Sequence, residues 1–124
     1  MIGSTRQVRV FVFGSPADMR KGYNGLFGLV TQVLGRDVLA GDMFLFISKT
    51  RQRAKVLLWD GTGLCIYAKR LDRGRFTAPW ESEGNGALEM TVSELALLLE
   101  GSKLAGKVAL SPAPFKLGAL RQAA

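Results

Sequence analysis

The feature that most constrains the fold is a turn sequence, Asp60-Gly61-Thr62-Gly63, which separates two strand-like segments. Residues 53–59 (RAKVLLW) and 64–70 (LCIYAKR) are both rich in large apolar and aromatic residues. An Asp-Gly pair between such segments is a strong hairpin signal, because glycine adopts the positive φ that tight turns need. The sequence therefore predicts an antiparallel hairpin over residues 53–70.

Alternation along the two strands gives the hairpin two faces, and a two-residue or a four-residue loop gives the same facing. The face that we predict to be the core side holds Ala54, Val56, Leu58, Cys65, Tyr67 and Lys69. The other face holds Leu57, Trp59, Leu64 and Ile66 near the turn, and Arg51, Arg53, Lys55 and Arg70 at the open end. We expect the second helix or residues 72–86 to cover Leu57 and Trp59. If exposed, they would form an aromatic patch suited to protein contact or base stacking.

The hairpin and its flanks carry most of the positive charge of the chain. The 124 residues have a formal net charge of +7 and include no histidine. Two acids, Asp60 and Asp72, stand against eight basic residues between positions 49 and 75: Lys49, Arg51, Arg53, Lys55, Lys69, Arg70, Arg73 and Arg75. Charge concentrated in this way indicates an acidic partner, and nucleic acid is favoured over an anionic membrane surface. The alternative is that these residues only keep an exposed sheet face soluble.

The remaining sequence supplies three more strands. Residues 7–13 (QVRVFVF) and 88–90 have strand-like composition, and residues 43–47 (MFLFI) are apolar on both faces, as in a central strand. Together with the hairpin they predict a mostly antiparallel sheet.

Two helices complete the predicted fold. Asp18 is a candidate N-cap for a helix that ends at Leu34 before Gly35, with an inward face of Tyr23, Leu26, Phe27, Val30, Val33 and Leu34. Thr91-Val92-Ser93-Glu94 is a capping box that begins a helix to Glu100. We predict an α+β fold, a mostly antiparallel sheet with a central basic hairpin and two packed helices. It forms one domain over residues 1–110, followed by a loosely ordered tail over 111–124.

Most enzyme chemistries lack their side chains here. Without histidine, and with Cys65 as the single cysteine, histidine-dependent nucleophilic sites and ordinary zinc sites are excluded. We therefore predict a protein that is not an enzyme, uses no cofactor or metal, resides in the reducing cytoplasm and does not span a membrane. The remaining enzymatic alternative is a metal-dependent nuclease built on aspartates that lie beside turns and caps: Asp18, Asp37, Asp42, Asp60 and Asp72.

Two features of the first helix are further candidates. Arg20 and Lys21 lie near its N-terminus and could hold one phosphate, although solvated first-turn residues are an equal interpretation. Gly22, Gly25 and Gly28 form a stripe in which each residue costs about 1 kcal/mol relative to alanine. The stripe either packs closely against another element of the domain or offers a partner a smooth groove. These glycines and Trp59 are therefore candidate partner-binding residues.

Four segments in this order and spacing carry a family resemblance: Asp18-Met19-Arg20-Lys21-Gly22 with Gly25-Leu26, Leu57 to Cys65 (LLWDGTGLC), Lys69-Arg70-Leu71 with Gly74-Arg75-Phe76, and Leu98-Leu99-Glu100-Gly101. Over about residues 7–101 the chain resembles the TnpB-type accessory proteins of the insertion-sequence-sixty-six family of bacterial transposable elements. The resemblance implies a small protein encoded beside a large DDE-type transposase and assisting transposition, and it implies no catalysis. After Gly101 the chain departs from the family pattern, since residues 102–124 are only mildly basic.

The leading hypothesis is a non-enzymatic transposition accessory protein that binds DNA, either element ends or duplex without sequence preference. Its expected phosphate contacts are Arg51, Arg53, Lys55, Lys69, Arg70, Arg73 and Arg75, with Arg20 and Lys21 as a second anion site. The alternative is a protein-interaction subunit that binds the transposase through the glycine stripe or Trp59 and has no direct DNA role. The sequence leaves the oligomeric state open.

Overall fold

A single sheet organises the protein, which the computed structural model describes over residues 7–81 and 88–101. Its strands are Val10–Val12 (β1), Met43–Ile47 (β2), Arg53–Trp59 (β3), Leu64–Arg70 (β4) and Leu88–Met90 (β5). The strand order is β4-β3-β2-β1-β5, and only β1 and β2 among these neighbours run parallel. The α+β fold and the mostly antiparallel sheet are thus confirmed. β2 is the central strand, as predicted, whereas the hairpin of β3 and β4 lies at one edge of the sheet.

The two helices, Tyr23–Leu29 (α1) and Val92–Leu99 (α2), lie against opposite faces of this sheet. Successive side chains of β1, β2 and β3 enter different cores, because strand residues alternate between the two faces. The core under α1 contains Phe11, Leu26, Val30, Phe44, Phe46 and Leu57. The core under α2 contains Val10, Val12, Leu45, Ile47, Val56, Phe76, Leu95 and Leu98. The result is a three-layer arrangement of helix, sheet and helix.

The first helix differs from its prediction at its start. The Asp18 carboxylate accepts hydrogen bonds from the backbone N–H and the guanidinium of Arg20, so it stabilises a local turn rather than capping a helix. The helix begins at Tyr23, and its N-cap residue is Gly22. The predicted Asp18 cap is therefore wrong, because its carboxylate is already occupied within the preceding turn.

The first helix also changes geometry before it ends. Residues Val30–Leu34 form a π-helical turn that stops at Gly35, whose φ is 66°, so the predicted end is confirmed. Tyr23 and Val33 are 53% and 60% exposed, which contradicts their predicted inward orientation. Tyr23 occupies the first position of the helix, and the wider π turn rotates Val33 away from the face that Leu26 and Val30 bury.

The second helix agrees with its prediction. The Thr91 hydroxyl accepts a 3.1 Å hydrogen bond from the Glu94 N–H, and the Glu94 carboxylate accepts one of 2.8 Å from the Thr91 N–H. This is the predicted capping box, and Gly101 follows the helix with a φ of 87°. The first strand is shorter than the predicted 7–13. The predicted tail over 111–124 lies outside the described residues.

Candidate nucleic-acid interface

The hairpin has the predicted strands and facing. β3 and β4 pair without interruption from Arg53 opposite Arg70 to Trp59 opposite Leu64. The four-residue turn is held by Asp60, whose Oδ1 accepts hydrogen bonds from the Thr62 N–H at 2.8 Å and the Gly63 N–H at 2.9 Å. The Thr62 hydroxyl also donates to Oδ1. These donors favour the ionised form and lower the pKa of Asp60 to about 2.

The Asp60 carboxylate also changes the acidity of Cys65, the single cysteine of the chain. The Cys65 thiol donates to Oδ2 of Asp60 at 3.4 Å, and this contact with a negative group raises the pKa of Cys65. We expect Asp60→Asn to lower that pKa and to speed alkylation of Cys65 by iodoacetamide at pH 8. Asp72→Asn removes the same charge outside this turn and should leave the rate unchanged. Equal rates in the Asp60→Asn variant and the wild type would contradict the assignment.

Acid titration should reveal the same carboxylate. Because the folded-state pKa of Asp60 is below its ordinary value of 3.8, its contribution to stability is fully present above about pH 4 and is lost as the pH falls towards 2. The Asp60→Asn variant should therefore lose less stability than the wild type between pH 4 and pH 2, as measured by urea denaturation.

The apolar part of the hairpin lies under α1. Leu57 is fully buried, and Trp59, Leu64 and Ile66 pack around the same core. The expectation that α2 would cover Leu57 and Trp59 is wrong, because α2 lies against the opposite face of the sheet. Of residues 72–86, which were expected as the other cover, Phe76 and Trp80 pack in the core under α2, and 82–86 lie outside the described residues. Trp59 is half-buried in this core and does not form an exposed aromatic patch.

The face predicted to be the core side is only partly buried. Ala54 and Val56 of β3 lie in the core under α2, but Tyr67 of β4 is 51% exposed. Strand β4 is an edge strand of the sheet, with a paired neighbour on one side only. Lys69 is half-buried and lies on the same face as Ala54 and Val56. Arg53 and Arg70 lie on the opposite face, which α1 covers.

Lys55 connects the hairpin to the loop before α1. Its ammonium donates to the carbonyl oxygens of Met19 at 2.8 Å and Lys21 at 2.9 Å. The loop that carries Arg20 and Lys21 is therefore held against β3. The structure brings the two predicted anion sites together on one side of the sheet, which the sequence did not indicate. Lys55 was predicted as a phosphate contact, and most of its donor capacity serves this internal contact.

Arg20 and Lys21 differ in how free their charges are. Arg20 forms a 2.9 Å ion pair with Asp18, and its hydrogen bonds lower the pKa of that carboxyl to about 2. The Lys21 stem lies along the helix at Gly25, where an added Cβ would come within 3.0 Å of the Lys21 Cβ. Gly25 thus provides space for the Lys21 stem. Lys21 has no ion pair with a described residue.

The other two glycines of the stripe face open space. A Cβ at Gly22 or Gly28 would meet no described atom within 4 Å. Close packing of another described element therefore does not explain them. Their predicted partner-binding role stays a prediction, and no contact among the described residues accounts for their presence.

The remaining arginines gather at the open end of the hairpin. Arg51 precedes β3 in a turn, with a φ of 64°, so the prediction that it alternates along the strand with Arg53 and Lys55 is wrong. The Phe76 N–H donates to the Arg51 carbonyl at 2.6 Å and the Leu71 N–H to the Gln52 carbonyl at 2.8 Å. These bonds hold the loop that carries the exposed Arg73 and Arg75 beside the same end.

Sequence reasoning missed a pair of arginines beside the Phe11 ring of β1, on the same face of the sheet as Arg53 and Arg70. The Arg36 guanidinium lies 3.6 Å from the centroid of the Phe11 ring, and that of Arg9 lies 5.0 Å from it. Arg9 also lies 3.8 Å from Glu89. Both side chains thus have described partners, whereas those of Arg53 and Arg70 have no hydrogen bond or ion pair to a described residue. No local pattern signals this cluster, because its members come from separate segments.

Two further features of residues 7–81 and 88–101 bear on the site. No group of three or more cysteine, aspartate or glutamate residues in this part of the chain could hold a metal ion. No helix there is long and apolar enough to cross a membrane.

The sheet, its helices and the basic end of the hairpin define a small α+β domain with a cationic surface. The family model described as IS66 Orf2 like protein matches residues 8–109, and the chain belongs to this family. This confirms the resemblance and supports a role as an accessory protein in the transposition of IS66 elements. Two curated proteins of Sinorhizobium fredii, the uncharacterized proteins y4jC and y4hO, are 40% and 39% identical to this chain over 101 residues. That alignment covers 82% of this chain and 85% and 86% of theirs. No solved structure matches.

Proposed function

We propose that this protein assists a separate transposase by binding DNA phosphates through the basic surface at the open end of the hairpin. The observation that carries the proposal is the convergence of four segments on one region. Lys55 holds the 18–22 loop against β3, and two backbone hydrogen bonds hold the 71–76 loop against the turn before β3.

The charge balance of this region supports the proposal. Asp18 pairs with Arg20, and the fully exposed Asp72 lies 3.9 Å from Arg73, where an ion pair contributes little. Arg53, Arg70 and Arg75 form no ion pair with a described residue and are exposed. Basic side chains that remain unpaired at one end of a folded hairpin suit a polyanion, whose phosphates release counterions when they are neutralised.

A charge reversal tests the proposal. Arg53→Glu should weaken DNA binding roughly tenfold or more for every sequence, because phosphate contacts contribute affinity without reading bases. Fluorescence anisotropy with an element-end duplex and a scrambled duplex, titrated with salt, measures this. Log affinity should fall with log salt with a slope of about 0.9 per phosphate neutralised. Arg36→Glu is the matched control, since it changes the charge equally at the Phe11 cluster.

The two duplexes separate two forms of the function. A steep salt slope with preference for the end duplex supports recognition of element ends. A steep slope without preference supports a general DNA-binding role whose specificity lies in the transposase. Absence of binding at low salt would contradict the proposal and leave the protein-interaction alternative. Its surface would then be the outer side of α1 and of the π-helical turn that follows it, where Tyr23 and Val33 are exposed.

A further inference from the structure

A concavity of about 310 Å³ opens on the α1 side of the sheet, at the open end of the hairpin. Met19 of the loop before α1 forms one wall, and residues 53–55 of β3 and 68–70 of β4 form the rest. No aspartate or glutamate lines it. Its volume is at the lower end of the range for small-ligand sites.

Ala68 keeps this concavity open. It lies directly opposite Lys55 in the strand pairing and on the same face as Arg53 and Arg70. Farther towards the turn this face carries Ile66 and Leu57, which pack under α1. A methyl side chain at position 68 therefore leaves a depression between the covered apolar part of the hairpin and its two terminal arginines.

The two arginines lie directly opposite each other. Arg53 and Arg70 are the register partners at the end of the β3–β4 pair, and neither guanidinium has a hydrogen bond or ion pair to a described residue. Like charges at directly opposite positions destabilise a strand pair, and their Cβ atoms are about 5 Å apart. An anion between the two guanidinium groups would remove this repulsion. It could also accept bidentate hydrogen bonds from both, which is the arrangement that arginine forms best with phosphate.

Lys55 contributes in a different way. Its ammonium is held by the carbonyl oxygens of Met19 and Lys21, which fixes the Met19 wall against the strand. Its positive charge stays next to the depression without occupying it. The site therefore has a wall and a floor that are set by the fold, and two arginines that are free to close on a ligand.

We propose that this concavity holds one phosphate group between Arg53 and Arg70, above Ala68, and that the phosphate belongs to the backbone of bound DNA. The identity of the phosphate rests on the proposed DNA-binding function, whereas the site itself rests on the geometry of the hairpin. The remaining basic residues, including Arg73 and Arg75, attract the DNA backbone electrostatically without forming a defined phosphate-binding site.

NMR of the arginine side chains tests the site directly. In a titration of the full chain with inorganic phosphate, the Nε–H signals of Arg53 and Arg70 should shift and saturate, with one common dissociation constant. The exposed Arg73 and Arg75 should show only small shifts that do not saturate. Similar, unsaturated shifts of all four arginines would indicate an adventitious ion only and would overturn the proposal.

Two variants separate shape from charge. Ala68→Leu fills the depression and leaves the charge unchanged, and we expect it to weaken phosphate binding at least fivefold. Arg70→Lys keeps the charge but loses the planar fork, and it should weaken binding severalfold. Ala96→Leu, at an exposed position of α2, is the control for added volume. Phosphate binding unchanged by both variants would overturn the proposal, and Arg70→Lys decides the matter if Ala68→Leu does not fold.

Duplex DNA distinguishes failure of the site from failure of the proposed function. If the duplex displaces inorganic phosphate from Arg53 and Arg70, the backbone is the source of the bound group. If the duplex binds with a steep salt slope but equally well to wild type, Ala68→Leu and Arg70→Lys, the DNA-binding function is supported. The inferred phosphate site between Arg53 and Arg70 is then wrong. If phosphate saturates the site while the duplex does not bind, the concavity is a site for free phosphate. Its assignment to the DNA backbone is then overturned.

Discussion

Replacing Phe44 by alanine should lower the free energy of unfolding by about 3–5 kcal/mol. Phe44 is fully buried in the middle strand of the sheet and belongs to the core that α1 covers. Its ring stacks on that of Phe11, with centroids 5.8 Å apart and planes 25° apart. The variant loses both the buried ring and this stacking, and the strands on either side of β2 prevent the cavity from collapsing.

This loss would be a large part of the stability of an ordinary domain, which is about 5–15 kcal/mol. Urea denaturation followed by circular dichroism measures it. Tyr23→Ala is the matched control, because Tyr23 is 53% exposed and should change stability by only about 0.5 kcal/mol. Equal losses for the two aromatic residues would show that β2 is not the centre of the packed sheet.

The second large effect concerns Lys55. Lys55→Met keeps the apolar stem and removes the ammonium, so the carbonyl oxygens of Met19 and Lys21 lose their donor. Hydrogen bonds from a charged group contribute about 1.5–3 kcal/mol each in favourable settings. Because these carbonyls can turn partly towards water, we expect a net loss of about 2 kcal/mol in the free energy of unfolding.

Arg53→Met is the control for Lys55→Met. It removes one positive charge two residues earlier on the same face, but the Arg53 guanidinium has no described hydrogen-bond or ion-pair partner to lose. The free energy of unfolding of Arg53→Met should equal that of the wild type or exceed it slightly, because the repulsion between Arg53 and Arg70 is relieved. We expect the reverse order in DNA binding, where Arg53→Met should cost more than Lys55→Met. A larger stability loss for Arg53→Met would show that Lys55 does not hold the 18–22 loop.

Two roles are open to residues 18–22, and the comparison of Lys55→Met with Arg53→Met distinguishes them. The loop could act by supplying Arg20 and Lys21 to an anion or by forming the Met19 wall of the concavity. The ion pair between Arg20 and Asp18 reduces the first role, and the hydrogen bonds from Lys55 serve the second. Lys21 keeps its charge available, with its stem placed along the helix by the space at Gly25.

The hairpin, the central strand and the second helix could be predicted from the sequence because their signals are local. The turn at Asp60–Gly63 determines which residues of β3 and β4 face each other, and the side-chain period of two then assigns every residue to a face. The capping box of α2 is equally local, because Thr91 and Glu94 form both of its hydrogen bonds with each other and are three residues apart. Prediction failed at Asp18, whose carboxylate had a competing local donor in Arg20.

The strands of the hairpin, their register and the concentration of positive charge at one end thus follow from local sequence signals. Three other features depend on how distant segments pack: α1 rather than α2 covers Trp59, Val33 is exposed, and Lys55 holds a loop 34 to 36 positions away along the chain. The physical reason is that turns and caps are satisfied by near neighbours. The choice of face and the partner of a long side chain depend on the packing of distant segments, which no periodicity records.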